Sequence, residues 1–327
     1  MITDKITRYQ LPSWLKNVWV ILTILVVWLL LILLFAVEKQ QQRDSVVPAT
    51  LWPGDNGVVN ASFNSVTDLE AFLDNSGMQW LPESGAKIPP LSILAFPGDI
   101  GSVSDVARKK SLFFRSLLPI VLVENHNISL QRRHVLELMA VGHDQLNIEE
   151  LAWLESVAAW YRIPFTEIDE EFWNSLLMRI DRIPAPLVLA QAANESAWGT
   201  SRFALQGNNL FGLWTFDETK GIIPAGRKLG ERHAVQVFDS LRDSVREYMR
   251  NLNTHRAYHS LRAARAEYRR LGEPLQADKL AQGLLPYSER GEAYVKEIRS
   301  MIKGNQLAML KNVLLDNSSS LDTHLIR

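Results

Sequence analysis

The sequence predicts a mainly α-helical domain with one small β-hairpin, preceded by an N-terminal transmembrane helix. Three observations carry this. An uncharged apolar run of 20 residues lies near the N-terminus, helix-period patterns fill the chain from Ser104 to about Lys303, and apolar–polar alternation is confined to residues 221–238. The chain has 327 residues, 47% apolar and 22% charged, enough for one large or two modest domains. With 35 Lys and Arg against 36 Asp and Glu, it lacks the basic excess of a nucleic-acid-binding chain. Cysteine is absent, which removes disulfides, thiolate metal sites and cysteine nucleophiles.

The run from Val18 to Val37 carries no charge, and Thr23 is its one polar side chain. At about 1.5 Å per residue it crosses a hydrocarbon core of about 30 Å. A core helix would keep a polar face. A cleaved signal peptide would have an apolar stretch of about 7–15 residues and a small-residue exit, which Leu34-Phe35-Ala36-Val37 is not. The span is read as an uncleaved anchor with Trp14 and Trp19 near one interface. Lys5, Arg8 and Lys16 precede it, while Lys39 and Arg43 follow. This weak bias makes residues 1–17 a cytoplasmic tail.

Residues 38–103 are punctuated by Pro48, Pro53, Pro82, Pro89, Pro90 and Pro97 and are read as a connector without an assigned role. Residues 104–303 are read as the helical domain. A helical pattern leads through Val123 despite Pro119, and Ser129 is expected to cap a separate helix over residues 130–141. Further helices are expected over 148–161, 169–183 and 186–198, the last stopped by Gly199. Gly221-Ile222-Ile223 and residues 233–238 flank a Gly-rich basic loop and predict a hairpin. Ser240 begins the next helix, and residues 304–327 are read as a tail. His255 and His259 stand at i and i+4 without a third ligand or an HExxH glutamate, so no metal site is expected. Arg262, Arg265, Arg269 and Arg270 share one helix with Glu267 and are read as a solvated face.

The chemistry concentrates in residues 187–201, where Glu195 is the one carboxylate in an otherwise uncharged apolar helix. On a continuous helix Gln191, Asn194, Glu195 and Trp198 share a side. Loss of hydration disfavours the charged form of a carboxyl, and a carboxyl kept protonated near neutrality serves as a general acid. The competing interpretation pairs Glu195 with Arg202 or Arg179 in a structural ion pair. Five of the ten Trp residues lie between Trp153 and Trp214, and Trp198 and Trp214 follow Glu195 closely. Flat aromatic faces beside a carboxyl suit sugar rings, although Trp153, Trp160 and Trp173 are assigned to the core.

Three motifs bear a resemblance: Ala192-Ala193-Asn194-Glu195-Ser196-Ala197-Trp198-Gly199, then Asn208-Asn209-Leu210-Phe211-Gly212, then Tyr287-Ser288-Glu289-Arg290-Gly291-Glu292-Ala293-Tyr294. Together they resemble the bacterial glucosaminidases, the peptidoglycan-cleaving glycoside hydrolase family 73, over residues 187–302. The resemblance implies a lysozyme-like helical fold with a β-hairpin lobe over a glycan cleft. It implies Glu195 as general acid, Tyr287 or Tyr294 near the cleft as further catalytic candidates, and Asn209 and Phe211 in the turn to the hairpin. The shared helix side and the aromatic placement add Gln191, Asn194, Trp198 and Trp214 to Asn209 and Phe211 as substrate-binding candidates. Many members carry a second acidic residue on the lobe, whereas residues 222–227 here contain none. Glu231, Asp217 and Glu218 are the nearest substitutes, and Glu231 is preferred because it is expected to enter the second hairpin strand. The expected activity is hydrolysis of a β-linkage between amino sugars of peptidoglycan, without a cofactor. The expected location is the inner membrane, crossed once through Val18 to Val37, with the C-terminal domain in the periplasm. A catalytically idle glycan-binding scaffold and a lytic transglycosylase are the alternatives.

Overall fold

The computed structural model describes residues 51–316 apart from Leu229. The expected span over residues 18–37 lies outside the described residues, among which no helix is long and apolar enough to cross a membrane. The helices are α1 (Val66–Asn75), α2 (Val106–Val141), α3 (Ile148–Trp160), α4 (Glu170–Arg179), α5 (Ala185–Glu195), α6 (Arg202–Gly207), α7 (Leu241–Thr254), α8 (His259–Leu271), α9 (Ala277–Leu280) and α10 (Glu292–Gly304). The mainly helical expectation therefore holds for the described residues. Side-chain caps set most of the starts: Ser65, Asp105, Asp169, Ser201 and Ser240 each accept from a backbone N–H of the first turn, and Asn147 forms a capping box with Glu150.

The axis of the fold is α2, which runs 36 residues, about 54 Å, without a break. This differs from the two helices expected there. Ser129 does not cap a new helix, because its hydroxyl donates back to the Asn125 carbonyl at 2.7 Å inside a continuous one. Helices α5 and α7 pack along α2, and α10 packs on α5. A buried charge cluster fastens α7 to α2. The Glu124 carboxylate, 1% exposed, accepts from Arg242 Nε at 2.5 Å and Arg246 Nε at 2.8 Å, and both arginines also reach Asp55.

Strands are short. β1 (Val59–Ala61) pairs in parallel with β3 (Leu91–Ile93), and β2 (Lys87–Ile88) pairs in parallel with β7 (Leu314–Leu315). Residues 51–103 thus share the core of the helical body through Leu51, Leu69, Leu73, Met78 and Ile93, and the chain after α10 adds Leu307, Leu310 and Val313. The expected hairpin is present inside a three-stranded antiparallel sheet ordered β4 (Trp214–Thr215), β6 (Ala234–Gln236), β5 (Gly221–Ile222).

Candidate active site

Helix α5 is built from small and aliphatic residues, with Pro186 tolerated in the first turn because the N–H it lacks has no intrahelical acceptor there. It ends at Glu195, three residues before the expected stop at Trp198. Ser196 closes it: its hydroxyl donates to the Ala192 carbonyl at 2.6 Å and accepts from the Gly199 N–H at 2.8 Å. Ala197, Trp198 and Gly199 follow with φ of 49°, 62° and 78°. Two non-glycine residues in the left-handed region cost about 1–3 kcal/mol each, a strain that clusters at functional sites. The turn sends Trp198 inward, edge-on to Phe113 and Phe114 with centroids 5.7 and 5.3 Å away, under Lys110 Nζ. The helical spacing that placed Trp198 beside Glu195 does not apply, because the helix has already ended.

Glu195 is half-buried, and Oε1 accepts from the Tyr294 hydroxyl at 2.7 Å and from Asn194 Nδ2 at 3.2 Å. Tyr294 in turn accepts from Gln191 Nε2 at 2.8 Å, and the Tyr248 hydroxyl donates to Gln191 Oε1. The result is a one-way chain of neutral donors, Tyr248 to Gln191 to Tyr294 to Glu195. Its three inner members are at most 2% exposed. Burial pushes the Tyr294 hydroxyl far above its ordinary value, and the neighbouring Glu195 charge adds to this, so the proton stays on Tyr294 and faces the carboxyl. Among the described residues Glu195 makes no ion pair. Arg179 is occupied by the carbonyls of Tyr161 and Arg162, and Arg202 by the carbonyl of Ile223.

Tyr287 lies parallel to Tyr294 at 5.4 Å and donates to the Phe211 carbonyl at 2.8 Å. Phe211 stacks on Tyr248 at 3.8 Å. Asn209 is buried and spends its amide on the backbone, donating to the carbonyls of Leu213 and Gln236 and accepting from the N–H groups of Phe211 and Leu213. Asn209, Phe211 and Tyr287 therefore link the tyrosines to the three-stranded sheet.

Trp214 on β4 is 62% exposed and stacks on His233 at 4.4 Å, and Phe216 beside it is 80% exposed. Glu231 differs from expectation. It lies in the turn before β6, exposed, with Oε2 accepting from the Lys228 N–H at 3.1 Å and standing 3.8 Å from His233 Nδ1. Glu218 pairs with Arg227 at 2.6 Å, and Asp217 caps the turn at Thr219. His255 Nδ1 accepts from the Ala257 N–H, and no cluster of three metal-ligating side chains occurs among the described residues. Sequence reasoning missed Tyr248 and Phe216. Tyr248 was visible only as an apolar-face position of the helix after Ser240, and Phe216 only as an isolated aromatic.

The sequence profile of the family described as "Mannosyl-glycoprotein endo-beta-N-acetylglucosaminidase" matches residues 175–307, which include Tyr248, Tyr287, Tyr294 and Glu195. The chain is also 33% identical over 204 residues to "Protein bax" of Escherichia coli (strain K12), covering 62% of this chain and 72% of that protein. No solved structure matches it significantly. With the motifs around Glu195, Asn209 and Tyr294 inside the matched segment, the chain belongs to the bacterial glucosaminidase family.

Proposed function

We propose that the protein is a peptidoglycan hydrolase that cleaves a β-glycosidic bond between amino sugars, with Glu195 as general acid in a lysozyme-like domain. One observation carries this: a half-buried carboxyl held on one oxygen by neutral donors, with no cation paired to it. A nearby cation would favour the ionised form. Here Tyr294 and Asn194 fix Oε1, while Oε2 has no protein partner among the described residues and is the oxygen to carry the transferable proton. That proton passes to the glycosidic oxygen as the C1–O bond breaks and its electron pair leaves with the departing sugar.

The group that captures C1 is the substrate's own acetamido oxygen in this reading. Support comes from Glu231, which stands in an exposed turn against Lys228 and His233, and from the cluster of Tyr248, Tyr287, Tyr294 and Tyr258, the last 6.2 Å from Tyr287, whose nearby carboxylate is Glu195. Water then opens the cyclic intermediate and returns a proton to Glu195, so acid and base are one residue. Exposed Trp214 and Phe216 offer flat faces to sugar rings. In the same reading residues 18–37 anchor the chain in the inner membrane and the folded body faces the periplasm, where this glycan lies.

The test is digestion of purified murein by the full chain and by Glu195→Gln, read by mass spectrometry. Hydrolysed ends from wild type and none from the variant are expected. Anhydro ends would instead mean transglycosylation, and binding without cleavage would mean an idle scaffold.

A further inference from the structure

At the far end of α5 from Glu195 the surface opens into a cavity of about 390 Å³ lined by Arg132, Arg133, Arg182 and Arg269, with Asp181 as its carboxylate. That volume is in the range of small-ligand sites, roughly 300–1,000 Å³. Asp181 and Arg182 precede α5 and Glu195 is its last residue, so the helix, about 16 Å long, separates the two places.

The charges do not balance. Asp181 is 2% exposed and already spent. It accepts from Arg269 Nε at 3.0 Å and from a second Arg269 nitrogen, from the Arg182 N–H at 2.8 Å, and faces Arg265 Nε at 3.6 Å. Burial pushes its carboxyl upward, but the Arg269 hydrogen bonds and the Arg265 and Arg269 charges outweigh this and hold it below the usual carboxylate range. One carboxylate thus stands among the guanidiniums of Arg269, Arg265, Arg132 and Arg182, and positive charge exceeds negative around it. Arg132 Nη1 donates to the Leu177 carbonyl and, at 2.8 Å, to the Ile180 carbonyl, which orients the group without neutralising it. Burial lowers the Arg132 value, with Asp181 opposing and Arg269 reinforcing. Arg133 and Arg182 are exposed at the rim and make no ion pair among the described residues. Four guanidiniums and one carboxylate line the cavity, and a multiply charged oxyanion balances that excess of positive charge while meeting several planar N–H forks at once.

We propose that this cavity is a binding site for a phosphate group, remote from the candidate active site and independent of the reaction assigned to it. Two sources share that chemistry: free phosphate, a dianion, and a phosphodiester of the kind carried by a lipid headgroup or an anionic polymer.

The experiment titrates the detergent-solubilised full chain by calorimetry with inorganic phosphate and, separately, with glycerophosphoglycerol. Chloride at matched ionic strength is the blank. Arg133→Gln, Arg182→Gln and the double variant are compared with Arg256→Gln, an exposed arginine elsewhere. Saturable binding is expected, weakened about 10-fold by each single variant and about 100-fold by the double variant, and unchanged in the control. Tighter binding of phosphate assigns the site to the free ion, and tighter binding of the diester assigns it to a lipid or polymer; both support the proposal. Because Arg133 and Arg182 are exposed, each single variant is expected to fold even if the double one does not. No heat beyond the chloride blank, or equal binding in both single variants and wild type, would overturn it.

Discussion

Helix α5 has one acid near each end, Asp181 buried and Glu195 half-buried, and the two are held by opposite means. Before its first turn, Asp181 sits among Arg265, Arg269 and Arg132 and is locked in its charged form. At its last residue, Glu195 meets a tyrosine and an amide and no cation. Buried charge next to guanidinium contributes to the fold and is useless as a proton donor. A carboxyl among neutral donors leaves no buried cation stranded when it is replaced by an amide. The two acids differ in burial and in whether a cation compensates them.

Swapping carboxyl for amide at both ends tests this contrast most severely. Glu195→Gln should lower turnover on murein about 10²–10⁴-fold, the usual scale for a lost general acid, and leave the melting temperature close to wild type. Asp181→Asn should do the reverse. It strands the buried Arg265 and should cost about 3–5 kcal/mol in urea unfolding, while the remaining folded protein keeps its kcat. If the stability losses were interchanged, the contrast would collapse.

Tyr294→Phe sharpens the Glu195 side. It removes the hydrogen bond to Oε1 and keeps the ring that stacks on Tyr287; that bond strengthens as Glu195 gives up its proton and becomes charged, so kcat should fall about 10–100-fold, or about 1.4–2.7 kcal/mol. A drop confined to KM would remove Tyr294 from the positioning of the acid.

The two ends also predict opposite pH limits. The folded-state value of Asp181 is depressed, so its stabilisation is present above the unfolded carboxylate value and is lost as pH falls through the folded one. Unfolding measured from pH 5 downward should show a decline below about pH 4 that Asp181→Asn lacks. The tyrosines have raised folded values, Tyr258 pushed up to about 12 and Tyr248, Tyr287 and Tyr294 pushed upward, in each case first by burial. Their contribution is complete below the unfolded value of about 10 and is lost as pH rises through the folded values. Alkaline unfolding beginning above about pH 10 checks this.

The smallest effect is expected at Glu231. Glu231→Ala should change turnover by less than about 10-fold, whereas glycans without the N-acetyl group should be poor substrates. A loss of about 10²-fold or more would restore Glu231 as a base acting with Glu195.

The motif around Glu195 was legible because a lone carboxyl in an apolar helix stands out by composition, and the hairpin because period-two alternation is local. Where the helix ended was not legible. Ala197 and Trp198 are ordinary helix residues by propensity, and the stop depends on the Ser196 hydroxyl and on Gly199 lying against Phe96, where an added Cβ would come within 2.7 Å of the ring. The arginine helix was misread for a related reason. Arg270 pairs with Glu267 in solvent as expected, but Arg262 and Arg265 are buried against carbonyls contributed by other elements. No pattern within α8 records those partners.

What the sequence determined by itself is local: the helix start at Ser240, the hairpin from alternation and turn residues, and Glu195 from its isolation among apolar neighbours. The tertiary structure decided what each polar group faces. Tyr248 and Gln191 are 57 residues apart, and Tyr294 and Glu195 are 99 apart, yet they form one hydrogen-bond chain. Side-chain chemistry of this kind depends on distances of about 3 Å between elements remote in the chain, and such distances are set by packing, to which periodicity and propensity are blind.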